Sequence, residues 1–538
     1  MKVKKAKRPN IVLILNDDMG FSDIGCYGGE IKTPNLDRLA SGGIRFTQFY
    51  NTARCCPSRA SLLTGLHPHQ AGVGHMTDLF KDIDGYRGDL NNRCVTIAEV
   101  LHAAKYSTYM SGKWHVTGHI NGPIHNWPCQ RGFDEFYGTI TGAGNYFNPT
   151  TLTRNNTRIE TPPGEYYYTD AVSDNAVSFI SEHTKRTPGK PFFLYTAYTA
   201  PHWPLHALPE DIEKYRGRFD RGWDVLRQER LERMTEMGLV TSEWQLTERD
   251  ARVPAWEDEE HKEWQARRME VYAAQIDRMD QGIGRIITAL EQSGQLDNTV
   301  IFFLADNGGC AEEITDSWIE WVYTNVGRRH TRDGKPVRGC NDPAIMPGAE
   351  DTYQSCGRPW ANVSNTPFRL YKHWVHEGGI STPLIVHWPK GITAAGEIRH
   401  QTGQLPDIMA TCIELASAKY LKRHKRNPVT PHEGFSLVPV FDNGPQGREV
   451  LCWEHEGNCA VRKGKWKLVR QHPGEWELYN METDRTELND RAVENPDIVR
   501  ELTEIYTEWT ERCGVKPWDT VCELMRKATE KKNGNRCR

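Results

Sequence analysis

No stretch of this sequence approaches the ~20 consecutive apolar residues that cross a bilayer. The longest aliphatic run, Ile11 to Leu15, is far shorter, which excludes a membrane-spanning helix and any membrane partner that needs one. Charge of one sign is also lacking. The 67 Lys and Arg against 71 Asp and Glu leave a net charge of −4, so no nucleic-acid partner is expected of a surface this balanced. The 14 cysteines form no CxxC pair and no zinc-ribbon spacing, and predict free thiols in a reducing compartment, Cys452 and Cys459 included. Repeats and low-complexity tracts are absent. The basic start MKVKKAK precedes an apolar stretch too short for a signal peptide, with two acids after it and no small-residue cleavage site. The expectation is a cytoplasmic chain, with secretion left to one that has lost a leader.

What the chain does have is length and aromatics. Its 538 residues carry 17 Trp, 20 Tyr and 16 Phe, more than a disordered chain holds. The run NIVLILN (10–16) reads as a central parallel strand, apolar on both faces. Thr33-Pro34 opens a helix closed by Gly42, IRFTQFY is a strand, and Thr96 with Glu99 is a capping box. Helices near 170–183 and 264–292 alternate with the strands PFFLYTAY (191–198) and TVIFFLA (299–305). This alternation predicts an α/β fold, a large and mostly parallel sheet between helices, with ligands at the carboxyl ends of its strands. After a helix near 405–417 the pattern turns to hairpins, predicting a smaller C-terminal α+β domain with an antiparallel sheet and a last helix near 496–512. The domains read as 1–420 and 421–538.

Two excursions interrupt the first domain. Residues 210–270 hold 29 charged residues out of 61, which predicts a solvated surface insertion, placed at about 205–265, or else a lid or subunit contact. A second, about 310–360, is rich in Gly, Pro, Asn and Arg and reads as a long functional loop. Trp318, Trp321 and Trp360 in or beside it could stack on a ring of a ligand or simply pack.

The most specific segment is Cys55-Cys56-Pro57-Ser58-Arg59, ending in Leu63-Thr64-Gly65. A cysteine in the first turn of a helix meets partial positive charge, and an arginine four residues on shares its face, so the thiol is activated. A phosphatase loop with arginine six residues after its cysteine is excluded, because Ser61 and Leu62 stand there. Asp17-Asp18 and Asp306-Asn307 each close a strand. Carboxylates about 4 Å apart repel by about 4 kcal/mol per pair at an effective dielectric of about 20, so converging acids call for a cation. Ligands offering only oxygen favour Ca²⁺ or Mg²⁺ over Zn²⁺. Singly, each of these features is as common in caps, turns and solvated loops.

Taken together, the cysteine string resembles the signature of the type I sulfatases, in the alkaline-phosphatase-like superfamily, and most of all the bacterial arylsulfatase-like enzymes. Further segments carry the same resemblance: Gly112-Lys113-Trp114-His115, Ala200-Pro201-His202-Trp203-Pro204, and Thr366-Pro367-Phe368-Arg369-Leu370-Tyr371-Lys372 followed by His376-Glu377-Gly378-Gly379. The resemblance implies a sulfuric ester hydrolase in which Cys55 is converted to formylglycine by a maturation enzyme. One Ca²⁺ would be held by Asp17, Asp18, Asp306, Asn307 and the residue at 55. A hydroxyl of the hydrated aldehyde attacks sulfur, and His202 with Lys372 serves the leaving oxygen. His115 helps release sulfate, while Arg59 and Lys113 hold the diol and the sulfate oxygens. Substrates implied are sulfated carbohydrates or aryl and steroid sulfates. A phosphonate or phosphodiester hydrolase with the same machinery is the rival, and a homo-oligomer stays open. Gly74-His75-Met76 could line the mouth of the site or be structural.

Overall fold

The computed structural model describes residues 8–77, 83–122 and 124–536; the basic start, 1–7, lies outside them. The elements used below are β1 (Asn10–Asn16), α1 (Pro34–Ser41), β2 (Ile44–Tyr50), α2 (Cys55–Thr64), α3 (Ile97–Ala103) and β3 (Ser107–Gly112). They continue with β4 (Glu135–Thr139), α4 (Tyr168–Arg186), β5 (Phe192–Ala197), α5 (Gly222–Glu236), α6 (Lys262–Gln292), β6 (Thr299–Ala305) and α7 (Asp316–Asn325). Then come α8 (Gly357–Ser364), β7 (Ser381–His387), α9 (Pro406–Leu415), β8 (Val450–His455), β9 (Asn458–Lys463), β10 (Trp466–Arg470), β11 (Glu477–Asn480), α10 (Pro496–Cys513) and α11 (Trp518–Arg536).

In the large sheet the order runs β2-β7-β6-β1-β5-β3-β4, with short strands at both edges. From β6 to β4 neighbouring strands are parallel. β7 runs against both β6 and β2, so the sheet is mixed around a parallel centre. Successive side chains of a strand point to opposite faces. Val12 and Ile14 enter the core under α4 and α6, while Ile11, Leu13 and Leu15 enter the one under α2, α3 and α9. Both faces of β1 are thereby buried, as its unbroken apolar run requires. The capping box forms, with Glu99 N–H on Thr96 Oγ1 at 3.1 Å and Thr96 N–H on Glu99 Oε2 at 2.8 Å.

The charged segment 205–265 keeps most of its charges in solvent, as its composition predicts, but it also sends an apolar face into the core. Trp223 of α5 packs against Trp256 and Trp360, with ring centroids 4.7 and 5.5 Å away, inside the core that also covers β1. Arg230 is fully buried, with Nη1 2.8 Å from Asp23 Oδ1 and Nη2 2.7 Å from Glu30 Oε1. Composition misses this face because Arg230 has its charge neutralised inside the fold, and a few tryptophans supply the apolar surface. Trp360 is core, whereas Trp318 and Trp321 are not.

Strands β8 to β11 form a separate antiparallel sheet, and its β8–β9 turn places Glu456 (φ 51°) and Gly457 (φ 80°) in the left-handed region. A second terminal helix, α11, follows the expected one, which Gly514 (φ 76°) ends. A buried ion quartet joins this sheet to the loop before β7. Lys467 Nζ lies 2.8 Å from Glu377 Oε1 and from Glu487 Oε1, and Arg485 Nε lies 2.8 Å from Glu377 Oε2. Every described cysteine is a free thiol. Among the described residues no helix is long and apolar enough to cross a membrane.

Candidate active site

β1 and β6 are parallel neighbours with Asn16 opposite Ala305, so the acids after each strand leave the same carboxyl edge together. Asp18 N–H reaches Asp306 Oδ1 at 3.3 Å, and Asn307 Nδ2 donates to Asp18 Oδ1 at 2.6 Å. All four side chains, Asp17, Asp18, Asp306 and Asn307, are buried. Asp18 takes φ 67°, a left-handed conformation, and its carboxylate meets Asn307 Nδ2 and Lys372 Nζ. Burial, and then the charge of Asp17, pushes the Asp306 carboxyl well up. Against burial, the charges of Lys113, His202 and Arg59 hold Asp17 below its ordinary value. Asp17 Oδ1 and Asn307 Oδ1 are buried oxygens with no donor. Orphaned oxygens in an all-oxygen acid cluster fit a hard divalent cation.

The helix that follows β2 brings the cysteine to this edge. Arg54 caps α2 in an extended conformation, Pro57 falls in the first turn where its missing N–H costs no bond, and all ten residues of α2 are buried. Hydrogen bonding with Cys56 holds the Cys55 thiol well below its usual value despite burial, helped by the charges of Lys113 and His115. Cys55 groups with Cys56 and His115, whose donor atoms lie within 4.8 Å of one another, while Asp17, Asp18 and His202 form a second such group.

Arg59, four residues after Cys55, clamps the acids. Its Nε and Nη2 lie 2.9 and 2.8 Å from Asp306 Oδ2, with Nη2 3.6 Å from Asp17 Oδ2, and its Nη1 donates to Lys113 O at 3.1 Å. Lys113 Nζ pairs with Asp17 Oδ2. Lys113 is delivered by a tight turn after β3, where Gly112 has φ 118° and any Cβ would stand 2.0 Å from Ala197 O. His115 (φ 53°) presents Nε2 to Cys56 Sγ at 3.1 Å. Its ring rests on Gly142, where a Cβ would come within 2.0 Å.

His202 Nδ1 donates to Trp203 O at 2.7 Å. With Nδ1 engaged there, Nε2 faces both Lys372 Nζ and Asp18 Oδ2 at 3.4 Å. Lys372 in turn lies 2.8 Å from Asp18 Oδ2. The structure therefore gathers Cys55, Arg59, Lys113, His115, His202 and Lys372 around the Asp17, Asp18, Asp306 and Asn307 cluster.

Glu312, which lies outside every one of the sequence motifs, completes the site. Glu312 accepts from Arg54 Nη1 and from Trp203 Nε1, both at 2.8 Å, and stands 3.6 Å from Lys372 Nζ. Its two oxygens thereby tie the helix cap to the lysine. An acidic pair after Asn-Gly-Gly reads as a solvated turn, and only the fold shows three partners converging on it. Over these polar groups lies a cavity of about 130 Å³, walled by Met76, Ile120, Trp203, Trp318, Trp321 and Val326. Trp318 meets Trp203 edge-on at 5.3 Å and stacks on Trp321 at 6.0 Å. Met76 belongs to the mouth, whereas His75 turns away, with Nε2 2.6 Å from Glu456 Oε1 and its ring stacked on Trp518.

The sulfatase family model matches residues 9–418. An uncharacterized sulfatase of Schizosaccharomyces pombe is 34% identical over 97% of both chains. An arylsulfatase of Klebsiella aerogenes is 34% identical over 81% of this chain and 92% of its own. The crystal structure of Ps i-CgsB in complex with k-i-k-neocarrahexaose superposes with a TM-score of 0.65 at 25% identity, covering 94% of this chain and 93% of that one. The chain belongs to the sulfatase family of sulfate ester hydrolases.

Proposed function

We propose that this chain cleaves the sulfate monoester of a carbohydrate or of an aryl or steroid alcohol, using a formylglycine made from Cys55 by a maturation enzyme and one Ca²⁺ in the acid cluster. The observation that carries this reading is the burial of position 55 at a helix N-terminus, on the sheet edge where the four oxygen ligands and five cationic or imidazole side chains meet. The hydrated aldehyde would supply the nucleophilic hydroxyl, and Asp17, Asp18, Asp306 and Asn307 would hold the ion, which would supply positive charge to the site.

The remaining work belongs to side chains already in place. Arg59 and Lys113, locked by Asp306 and Asp17, hold position 55 and the sulfate oxygens with little reorganisation. His115, beside Cys55 and Cys56, takes a proton from the group at 55 as sulfate leaves. At the leaving oxygen, Lys372 and His202 Nε2 share a proton across 3.4 Å. The aromatic wall suits a ring, and the arylsulfatase relative and the carrahexaose-bound neighbour support alcohols of those two kinds.

Mass analysis of the Cys55 peptide, followed by assay of the converted protein on sulfated sugars, steroid sulfates, aryl sulfates and a phosphodiester, tests the proposal. Conversion with turnover of sulfate monoesters supports it. A converted protein that prefers the phosphodiester, or full activity with Cys55 still a thiol, overturns it.

A further inference from the structure

Besides the two groups in the active site, two other clusters of histidine and carboxylate bring their donor atoms within 4.8 Å, among the described residues. In the first, His373, His455 and Glu456, lone pairs are already engaged. Glu456 accepts from His75 at 2.6 Å and pairs with His373 Nδ1 at 2.9 Å, while Asn458 Nδ2 faces the other nitrogen of His373 at 3.3 Å. A metal-bound imidazole donates through its second nitrogen, and an amide donor placed there opposes that arrangement.

In the second cluster His125 also hydrogen-bonds its carboxylate, but among the described residues no amide donor faces the other ring nitrogen of either histidine. His125 Nε2 stands 2.8 Å and His119 Nε2 3.7 Å from the same oxygen, Asp89 Oδ2. Ligand atoms of a tetrahedral zinc ion, each ~2.0–2.1 Å from the metal, lie about 3.3 Å from one another, and the two distances straddle that value. The other carboxylate oxygen, Asp89 Oδ1, is buried and has no donor.

Backbone contacts hold all three residues in position. Asp89 pairs with Thr117 in an isolated bridge, and Thr117 Oγ1 accepts from His119 N–H at 3.2 Å. Trp127 Nε1 donates to His119 O at 2.8 Å. Asn126, next to His125, is buried and donates to Leu90 O at 2.7 Å, beside Asp89. His125 is half exposed, at 47%, which gives an ion a path in and leaves room for water as a fourth ligand.

We infer that Asp89, His119 and His125 form a second metal site, for a zinc-class divalent ion, chemically distinct from the all-oxygen cluster. Two imidazoles and one carboxylate select such an ion over calcium. An ion there joins the 117–127 loop to the segment holding Asp89. Gly118 and Ile120 of that loop line the catalytic cavity, so the site braces one of its walls.

The test is zinc titration of the calcium-loaded protein by calorimetry, with metal content by mass spectrometry, in a Cys55→Ser background that breaks up the cysteine group. One zinc per chain is expected, with affinity falling at least about tenfold in His119→Ala and in His125→Ala, calcium content unchanged, and thermal stabilisation by zinc lost in both. Absence of zinc binding overturns the inference. So does binding that survives both substitutions or is removed by His373→Ala, which assigns the ion to the other cluster.

Discussion

Lys372 Nζ lies 3.4 Å from His202 Nε2, and the second nitrogen of that ring is already committed to Trp203 O. The lysine and the histidine therefore sit in contact, with the lysine held between Asp18 on one side and Glu312 on the other.

A proton delivered to a leaving oxygen matters most when that oxygen is a poor leaving group. Lys372→Ala and His202→Ala are each expected to lower kcat/KM for alkyl sulfates by about 10²- to 10⁴-fold, and much less for activated aryl sulfates. Because the two residues act as a unit, the double variant should be little worse than either single one. Equal losses on both substrate types, measured side by side, would remove this assignment.

The acid cluster ties metal binding to stability. Calcium at about 100 times its dissociation constant should stabilise the fold by about 2.7 kcal/mol, seen as a rise in Tm over chelator-treated protein. Asp306→Asn should lose that rise together with bound calcium, and an unchanged calcium content would count against the proposed ligands.

Trp318 and Trp321 present a stacked pair to the cavity. Aromatic contacts of this kind are worth about 0.5–1.5 kcal/mol beyond their area. Trp321→Ala should therefore raise KM for ring-bearing sulfates by about 2- to 12-fold with kcat nearly intact, while unchanged KM and kcat would place the side chain outside the substrate's reach.

The quartet of Glu377, Lys467, Arg485 and Glu487 joins the two sheets without solvent contact. Although burial opposes it, the charges of Lys467 and Arg485 hold the Glu377 carboxyl at about 2, against 4.5 for an ordinary glutamate. A carboxyl depressed in the folded state stabilises fully above its unfolded value, and that stability fades as pH falls from about 4.5 toward 2. Acid unfolding of the wild type should fall in this window. Lys467→Met, which leaves Glu377 short of a partner, should cost about 3–5 kcal/mol in denaturant unfolding at neutral pH. A loss below about 1 kcal/mol would show that the quartet contributes little.

Much of the architecture is legible in the chain because period and punctuation are local. NIVLILN and TVIFFLA are strands over their whole length, and the box of Thr96 and Glu99 starts a helix where it should. Tertiary context defeats the same reasoning where composition stands in for contact. The charged stretch containing Arg230 reads as surface throughout, yet Arg230 is paired inside while most of the neighbouring charges stay exposed, and α11 follows a capped helix end that resembled the close of the domain.

The sequence by itself determined the set of chemical groups: a cysteine at the head of a helix, an arginine one turn on, acids at two strand ends, and lysines and histidines in three loops. Those motifs are short, so their residue types and spacing survive in one dimension. Only the tertiary structure decided which groups share an edge and which serve one another. The parallel pairing of β1 with β6 brings Asp18 to Asp306, and the turn at Gly112 carries Lys113 to Asp17. Glu312 meets Arg54, Trp203 and Lys372 from three distant segments. Charge pairing and burial depend on through-space distance, and chain order does not encode that distance.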